Sequence, residues 1–425
     1  MYSNVTLNNV ADYSDKRINI KDVPLEDFVT TDNMLQNKLG ITTAVKLPPQ
    51  DGNMPMYKKG NILVANIRPY LKKIWFADKD GGCSSDVLVF DVMDEYDPKF
   101  VYYTLLRDDF FVHMMKGSKG TKMPRGDKAQ IMDFVIPKIE IDEQQKIASI
   151  LSTLDKKIEL NNKINKELEA MAKTLYEYWF VQFDFPDTDG KPYKSSGGNM
   201  AYSEELKREI PEGWKSGIAS DLFDFNPTMS LAKGSIGNYI DMNALPTEGY
   251  MTKDIQKKEF NGGVKFQNGD LVMARITPCL ENGKTGLVTL LDEEIGFGST
   301  EFIVLRGKEI SLSSYASCLS RSELFRKYAI ANMTGTSGRK RVDAKALEVF
   351  SLAIPTDDIL KKFEEIGSPF FDKMTSNTKE NQKLTQLRDW LLPMLMNGQV
   401  KVAEHGNVSD ELMVAEPVVG YGESN

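Results

Sequence analysis

Histidine and cysteine are scarce in this chain of 425 residues, and their scarcity removes whole classes of chemistry. Only His113 and His405 are present, so a metal centre or a nucleophilic triad built on histidine has almost nothing to be made from. The three cysteines, Cys83, Cys279 and Cys318, form no Cys-x-x-Cys pair and are odd in number. They argue against a disulfide framework and a structural zinc site, and read as inert buried thiols. No run of about 18 apolar residues is available to cross a membrane, and Met1-Tyr2-Ser3-Asn4 opens no basic-then-apolar signal peptide, so a cytoplasmic protein is expected. Basic excess is lacking too. The formal charge of −8 alone speaks against a nucleic-acid partner, so the distribution of charge has to decide. With 41% hydrophobic and 27% charged residues the chain is ordinary globular material, long enough for two or three domains.

What the chain does have, it has twice. Gly60-Asn61-Ile62-Leu63-Val64-Ala65-Asn66-Ile67-Arg68-Pro69-Tyr70-Leu71 returns as Gly269-Asp270-Leu271-Val272-Met273-Ala274-Arg275-Ile276-Thr277-Pro278-Cys279-Leu280. Further on, Gly117 to Pro137 matches Gly335 to Pro355 by identity, with Gly120 over Gly338, Lys122 over Lys340 and Ile136-Pro137 over Ile354-Pro355. A period of roughly 210 residues is far longer than a solenoid unit and marks duplication of a whole domain with its helix. Duplication predicts pseudo-twofold symmetry and two similar binding sites. Each copy is expected to be a mixed α/β (α+β) domain. Ile62–Ala65 and Val87–Phe90 read as buried strands and Pro98–Met115 as an amphipathic helix, repeated as Leu271–Ala274, Phe302–Leu305 and a helix over Ser313–Ala331.

Glycine and proline vanish between the copies, from Asp142 to about Gln182. There Ile147, Leu151, Leu154, Ile158, Asn161, Asn165, Leu168, Ala172, Leu175 and Trp179 keep a 4-3 spacing, a coiled-coil seam with two asparagines at its middle. A second seam follows in Phe363, Gly367, Phe370, Met374, Asn377, Asn381, Leu384, Arg388, Leu391 and Leu395. One antiparallel register opposes Asn161 to Asn381 and Asn165 to Asn377 together; a parallel pairing would also align them, and the antiparallel one is preferred for a duplicated chain. Each helix would be roughly 60 Å long and the pair a rigid spacer. Pro393 is expected to kink or end the second helix near Asp389. The resulting plan is a first domain over 1–141, a helix over 142–184, a linker over 185–202, a second domain over 203–356, a second helix over 357–402 and a disordered tail over 403–425.

The functional signal is a basic glycine-bearing loop ahead of each long helix. Residues 116–128 hold Lys116, Lys119, Lys122, Arg125 and Lys128 against the single acid Asp127; residues 338–345 hold Arg339, Lys340, Arg341 and Lys345 against Asp343. Glycine lets the backbone approach a phosphate, and lysine and arginine displace counterions. One charge run is usually a solvated loop; its recurrence in an acidic protein reads as a polyanion footprint. Arg68 and Arg275 flank the repeated strand-turn motif out of register with each other, as expected of two domains on one scaffold reading different bases and equally of surface arginines without function. Tyr70, Trp75, Phe76 and Phe297 read as core. Gly283-Lys284-Thr285 ends like a phosphate-binding loop, but Pro278 replaces its first glycine. Neither a methyltransferase motif nor a convincing nuclease cluster is found in either copy. An enzyme with an unrecognised carboxylate site and a coiled-coil protein scaffold without DNA binding are the competing classes.

A family resemblance attaches to particular residues. Ile136-Pro137, Asp142-Glu143-Gln144-Gln145-Lys146-Ile147-Ala148-Ser149-Ile150-Leu151, Leu154-Asp155-Lys156-Lys157-Ile158-Glu159-Leu160-Asn161 and Trp179-Phe180-Val181-Gln182-Phe183-Asp184-Phe185 resemble the central helical region of type I restriction-modification specificity subunits. Ile210-Pro211-Glu212-Gly213-Trp214 resembles the start of their second target recognition domain. The first domain lacks that opening, and the distal helix carries a degenerate motif. The resemblance implies a non-catalytic subunit without cofactors of its own, in which each recognition domain reads half of a bipartite double-stranded DNA target and the helices set the gap. It further implies two methyltransferase subunits bringing S-adenosylmethionine, and restriction subunits using ATP and Mg. Ile164, Met171, Tyr178 and Phe180, apolar and outside the seam, would be free for those partners or would pack on the neighbouring domain.

Overall fold

A computed structural model describes residues 2–49, 51–336, 338–400 and 402. The chain divides into two compact units, one from the residues up to Asp155 with those from Thr385 onward, the other from Lys156–Leu384. The tail expected over 403–425 lies outside the described residues.

The first unit contains β1 (Ser3–Thr6), β2 (Ala11–Tyr13), β3 (Arg17–Asn19), β4 (Phe28–Val29), β5 (Asn53–Tyr57), β6 (Ile62–Ala65), β7 (Ile74–Phe76), β8 (Gly81–Cys83) and β9 (Val87–Val92). Helices α1 (Pro98–Leu105), α2 (Asp108–Lys116) and α3 (Lys128–Met132) follow, then β10 (Val135–Lys138) and the start of α4 (Ile141–Tyr176). One antiparallel sheet has the order β2-β9-β6-β7, a second the order β3-β5-β8-β4 with β4 parallel to β8, and β1 pairs with β10. Alternation along the strands builds two cores from one sheet. Ile62, Val64, Leu88 and Phe90 face the helices with Phe100 and Phe110, while Leu63, Ala65, Val87 and Val89 face Tyr57 and Cys83.

The second unit repeats this. After a π-helical turn at Glu177–Val181 come β11 (Met200–Ser203), β12 (Arg208–Pro211), β13 (Lys215–Ile218), α5 (Ala219–Leu222), β14 (Phe223–Phe225), β15 (Ile236–Ile240), β16 (Gln256–Glu259) and β17 (Val264–Phe266). They are followed by β18 (Leu271–Ala274), β19 (Thr285–Leu287), β20 (Gly296–Gly298), β21 (Phe302–Gly307), α6 (Ser313–Arg321), α7 (Glu323–Ala331), α8 (Ala344–Glu348), β22 (Ser351–Ile354) and α9 (Asp357–Met396). The sheet orders are β14-β21-β18-β19 and β16-β15-β20-β17, with β13 on β22. Leu271, Met273, Ile303 and Leu305 turn to one core, and Val272, Ala274, Phe302 and Val304 to the other.

The helix pair is antiparallel in the expected register. In the second unit the Asn161 amide nitrogen donates to Asn381 Oδ1 at 2.9 Å, and that of Asn377 to Asn165 Oδ1 at 2.8 Å. Asn381 also donates to Asn162, and Asn161 to Glu380. In the first unit Arg388, the one charged member of the second seam, donates to Asp155 at 2.8 Å. Gly367, the glycine of that seam, admits α6: a Cβ there would meet Ser314 Cβ at 3.0 Å.

Five expectations are corrected. The helix predicted over Pro98–Met115 is two, because Arg107 is extended (φ −65, ψ 147) ahead of Asp108-Asp109, acids that suit a helix start. Its counterpart breaks at Ser322, whose hydroxyl caps α7 by accepting from the Phe325 amide. Helix α9 passes both Pro369 and Pro393 to Met396, since Phe371, Met374, Leu392 and Leu395, all buried, hold the flanking turns. The linker over 185–202 is packed: Phe185 stacks between Tyr193 and Trp214, and Met200–Ser203 pairs with β12. Finally, the identity alignment of the basic loops is two residues out of register. Asp127 caps α3 as Asp343 caps α8, so Asp127 corresponds to Asp343, and Gly120 does not correspond to Gly338.

Candidate nucleic-acid interface

Each unit builds the same corner from three segments. In the first, the end of β6 (Asn66–Arg68), the turn Ser84-Ser85-Asp86 and the loop Lys119–Gly126 are tied by backbone bonds. Asn66 N donates to Asp86 O (2.8 Å), Gly126 N to Asn66 O (3.0 Å) and Arg68 N to Pro124 O (2.7 Å). In the second, Arg275 N donates to Glu301 O (2.9 Å), Val342 N to Arg275 O (2.9 Å) and Thr277 N to Lys340 O (3.0 Å). The loop necks match as well, Lys119 bridging Arg125 and Thr334 bridging Arg341. Ser84 and Ser299 hydroxyls accept the amides of Asp86 and Glu301. Gly126 is needed at its place, because a Cβ would meet Asn66 Oδ1 at 2.7 Å.

The charged side chains sort on this frame. Arg68, Lys116, Lys119, Lys122, Arg125 and Lys128 are exposed, as are Arg339, Lys340 and Lys345; Arg275 and Arg341 are half-buried. Arg68 stands in the left-handed region (φ 52), a strained conformation for a side-chain-bearing residue. Lys119 reaches Asp127 at 3.3 Å and Lys128 lies 5.6 Å from the Tyr13 ring centre. Three of the buried side-chain atoms left without a partner, Asn66 Oδ1, Arg275 Nε and Thr277 Oγ1, belong to these corners. Unpaired buried polar atoms are rare and ask for an explanation.

Asp86 and Glu301 escaped the sequence reading. Asp86 accepts from the Arg125 guanidinium, and Glu301 accepts from Arg341 Nε and Nη2 at 2.7–3.0 Å. That pairing holds the Glu301 carboxyl below its usual range, with Arg275 adding to the effect. The recurrence of Ser84-Ser85-Asp86 as Ser299-Thr300-Glu301, each one step before a buried strand, was the available signal. Tyr70, read as core, is 50% exposed beside Arg68, whereas Phe297 is buried. Lys284, the lysine of the loop that ends like a phosphate site, donates to Met242 O instead.

Of the apolar positions left outside the seam, Phe180 is buried against Tyr315 and Phe363, while Met171 and Tyr178 are exposed and line a groove with Leu175 and Phe370. Among the described residues no helix is long and apolar enough to cross a membrane, and no three His, Cys, Asp or Glu side chains are grouped to hold a metal.

Comparison with known proteins gives the family. The chain is 26% identical to the MjaIX specificity subunit of Methanocaldococcus jannaschii, a type I restriction enzyme component, over 72% of this chain and 70% of that one. It is 23% identical to the HindI specificity subunit of Haemophilus influenzae, over 93% and 98%. The crystal structure of a type I restriction-modification S subunit from M. genitalium shares the fold at 16% identity, with a TM-score of 0.56 over 93% of this chain and 96% of that one. The family model described as "Type I restriction modification DNA specificity domain" matches residues 2–170 and 211–386, one span in each copy of the repeat, and the chain belongs to that family.

Proposed function

We propose that the chain is the non-catalytic DNA-reading subunit of a cytoplasmic type I restriction-modification complex, each unit reading one half of a bipartite duplex target while the paired helices set the gap. The observation that carries this is the twice-built corner: the same three segments, bonded alike, present an exposed basic loop in both units of an acidic protein. Lys116, Lys119, Lys122, Lys128, Arg339, Lys340 and Lys345 serve the phosphates, and Arg68 and Arg275 lie at the strand ends beside them. Two methyltransferase subunits dock on the helices, and restriction subunits join them. The apolar residues Met171 of α4 and Tyr178 of the π-helical turn after it, and Leu387 and Trp390 of α9, are exposed as such docking would require. S-adenosylmethionine, ATP and Mg belong to those partners.

Co-expression with the neighbouring methyltransferase subunit in a host without adenine methylation, followed by modification-sensitive sequencing, is expected to give one two-part motif with a fixed gap. Lys122→Ala or Lys340→Ala should lower the salt slope of DNA binding by about one unit each. A complex that assembles, leaves no motif methylated and binds no DNA would leave the scaffold reading instead.

A further inference from the structure

The loop arginines differ from their basic neighbours in one respect that recurs in both units. Arg125 and Arg341 each lie on a carboxylate supplied by the other side of the corner, Asp86 and Glu301. Lys122, Arg339 and Lys340 make no ion pair among the described residues, and Lys119 pairs with Asp127 of its own loop rather than across the corner. The carboxylates are the more buried partners, 28% and 25% exposed against 57% and 41% for the arginines, so the acid lies beneath and the guanidinium above. Their backbone carbonyls are bonded to the end of the strand that begins the repeat.

A phosphate contact has no use for this arrangement. A carboxylate beside the arginine repels a phosphate and already neutralises the charge that would release counterions. What it supplies is direction. Glu301 occupies the Nε and Nη2 side of Arg341 with a two-point contact. Among the described residues the only other bond of that guanidinium is a long one of 3.4 Å from Nη1 to Arg339 O. The end-on fork, one N–H from each terminal nitrogen, remains for a second pair of acceptors. A guanidinium fixed in plane, with that fork outward, matches the O6 and N7 edge of guanine in a major groove. The geometry points to Arg125 and Arg341 as base readers, one in each half of the target, each oriented by its acid, and we propose that they set a guanine there. This rests on the DNA-reading function above and names the specificity-determining residues within it.

The test uses the complete complex with its methyltransferase subunits, carrying Arg341→Gln, Glu301→Gln, Arg125→Gln or Asp86→Asn, and reads the methylated motif together with the salt slope of DNA binding. Arg341→Gln is expected to lose about 10- to 100-fold of the preference for G·C at one position of one half, leaving the other half intact. Arg125→Gln should do the same in the opposite half, and the acid variants should relax the same positions more weakly. Salt slopes should move by less than the roughly one unit expected of Lys340→Ala, which should leave the motif unchanged. The intact half of the motif reports that each variant is folded and assembled. Variants that keep every motif position, or a target half without a G·C pair, overturn the assignment while the DNA-reading function stands. A parent complex that neither binds nor methylates any motif overturns both.

Discussion

Strand β8 of the first unit and strand β20 of the second each have one parallel and one antiparallel neighbour, yet the sheets around them end differently. In the first, the fourth strand is β3, added beside the antiparallel neighbour β5; in the second it is β16, added beside the parallel neighbour β15. The three inner strands and the corner they lead to are held in common, while the outer edge has been finished independently. Side chains follow the same division. Backbone bonds of the corner are matched one for one, but Asn66 with Gly126 in the first unit stands where Arg275 with Val342 stands in the second. What is bonded by backbone is repeated, and what projects from it is free to differ. That is the distribution expected of two readers with separate targets on one scaffold.

The largest expected effect tests how far the units match at their helix ends. Phe180 packs at 4.7 Å from Tyr315 and 4.8 Å from Phe363, whereas the same turn of α9 carries Met396 against Thr104. Phe180→Ala should cost about 3–5 kcal/mol. Hydrogen exchange should locate the loss in the second unit alone; equal loss of protection in both would contradict the division into separate cores. Next, Gly126→Val, which imports the residue type of the second unit, should destabilise the first by about 1–3 kcal/mol and remove recognition of one half-site. Adding Asn66→Ala should restore part of that in a double-mutant denaturation cycle.

A smaller effect separates the units by pH. Gln144 of α4 accepts the Asp97 amide ahead of α1 without carrying charge, while Glu364 of α9 accepts the Ser314 and Tyr315 amides at the start of α6. Burial pushes the Glu364 carboxyl above its usual range. A raised folded value means its contribution to stability is fully present below the unfolded value, about 4.3, and is lost as pH rises through the folded one. The difference in denaturation midpoint between the parent and Glu364→Gln should therefore vary over that window and level off above it. The smallest effect belongs to the edge strands: Lys257→Ala on β16, where Lys257 pairs with Asp292 and Glu293 in solvent, should leave the midpoint unchanged.

The helices were legible because their period is physical. A 4-3 spacing over ten positions fixes which face is buried, and two buried amides that need partners leave few registers open. The inner strands were legible as short apolar runs. Loops carry no period, so aligning them on Gly120 and Gly338 slipped by two residues, although Asp127 and Asp343, as helix caps, would have held them. Asp86 and Glu301 were passed over because a lone acid at a strand start looks like solvated surface until its arginine is seen above it. Edge strands β3 and β16 are short and polar, with nothing in their sequence to say which neighbour they join.

The asparagine layer also bears on how the chain avoids folding wrongly. Two long helices joined only by leucine and isoleucine could meet one heptad out of place at little cost. Here such a slip would set Asn161 against Met374 or Arg388 instead of Asn381, and each buried amide left alone costs about 1–3 kcal/mol. The middle of the helix pair thus acts as a proofreading step during assembly, rejecting misaligned chains by a penalty that aliphatic residues cannot impose.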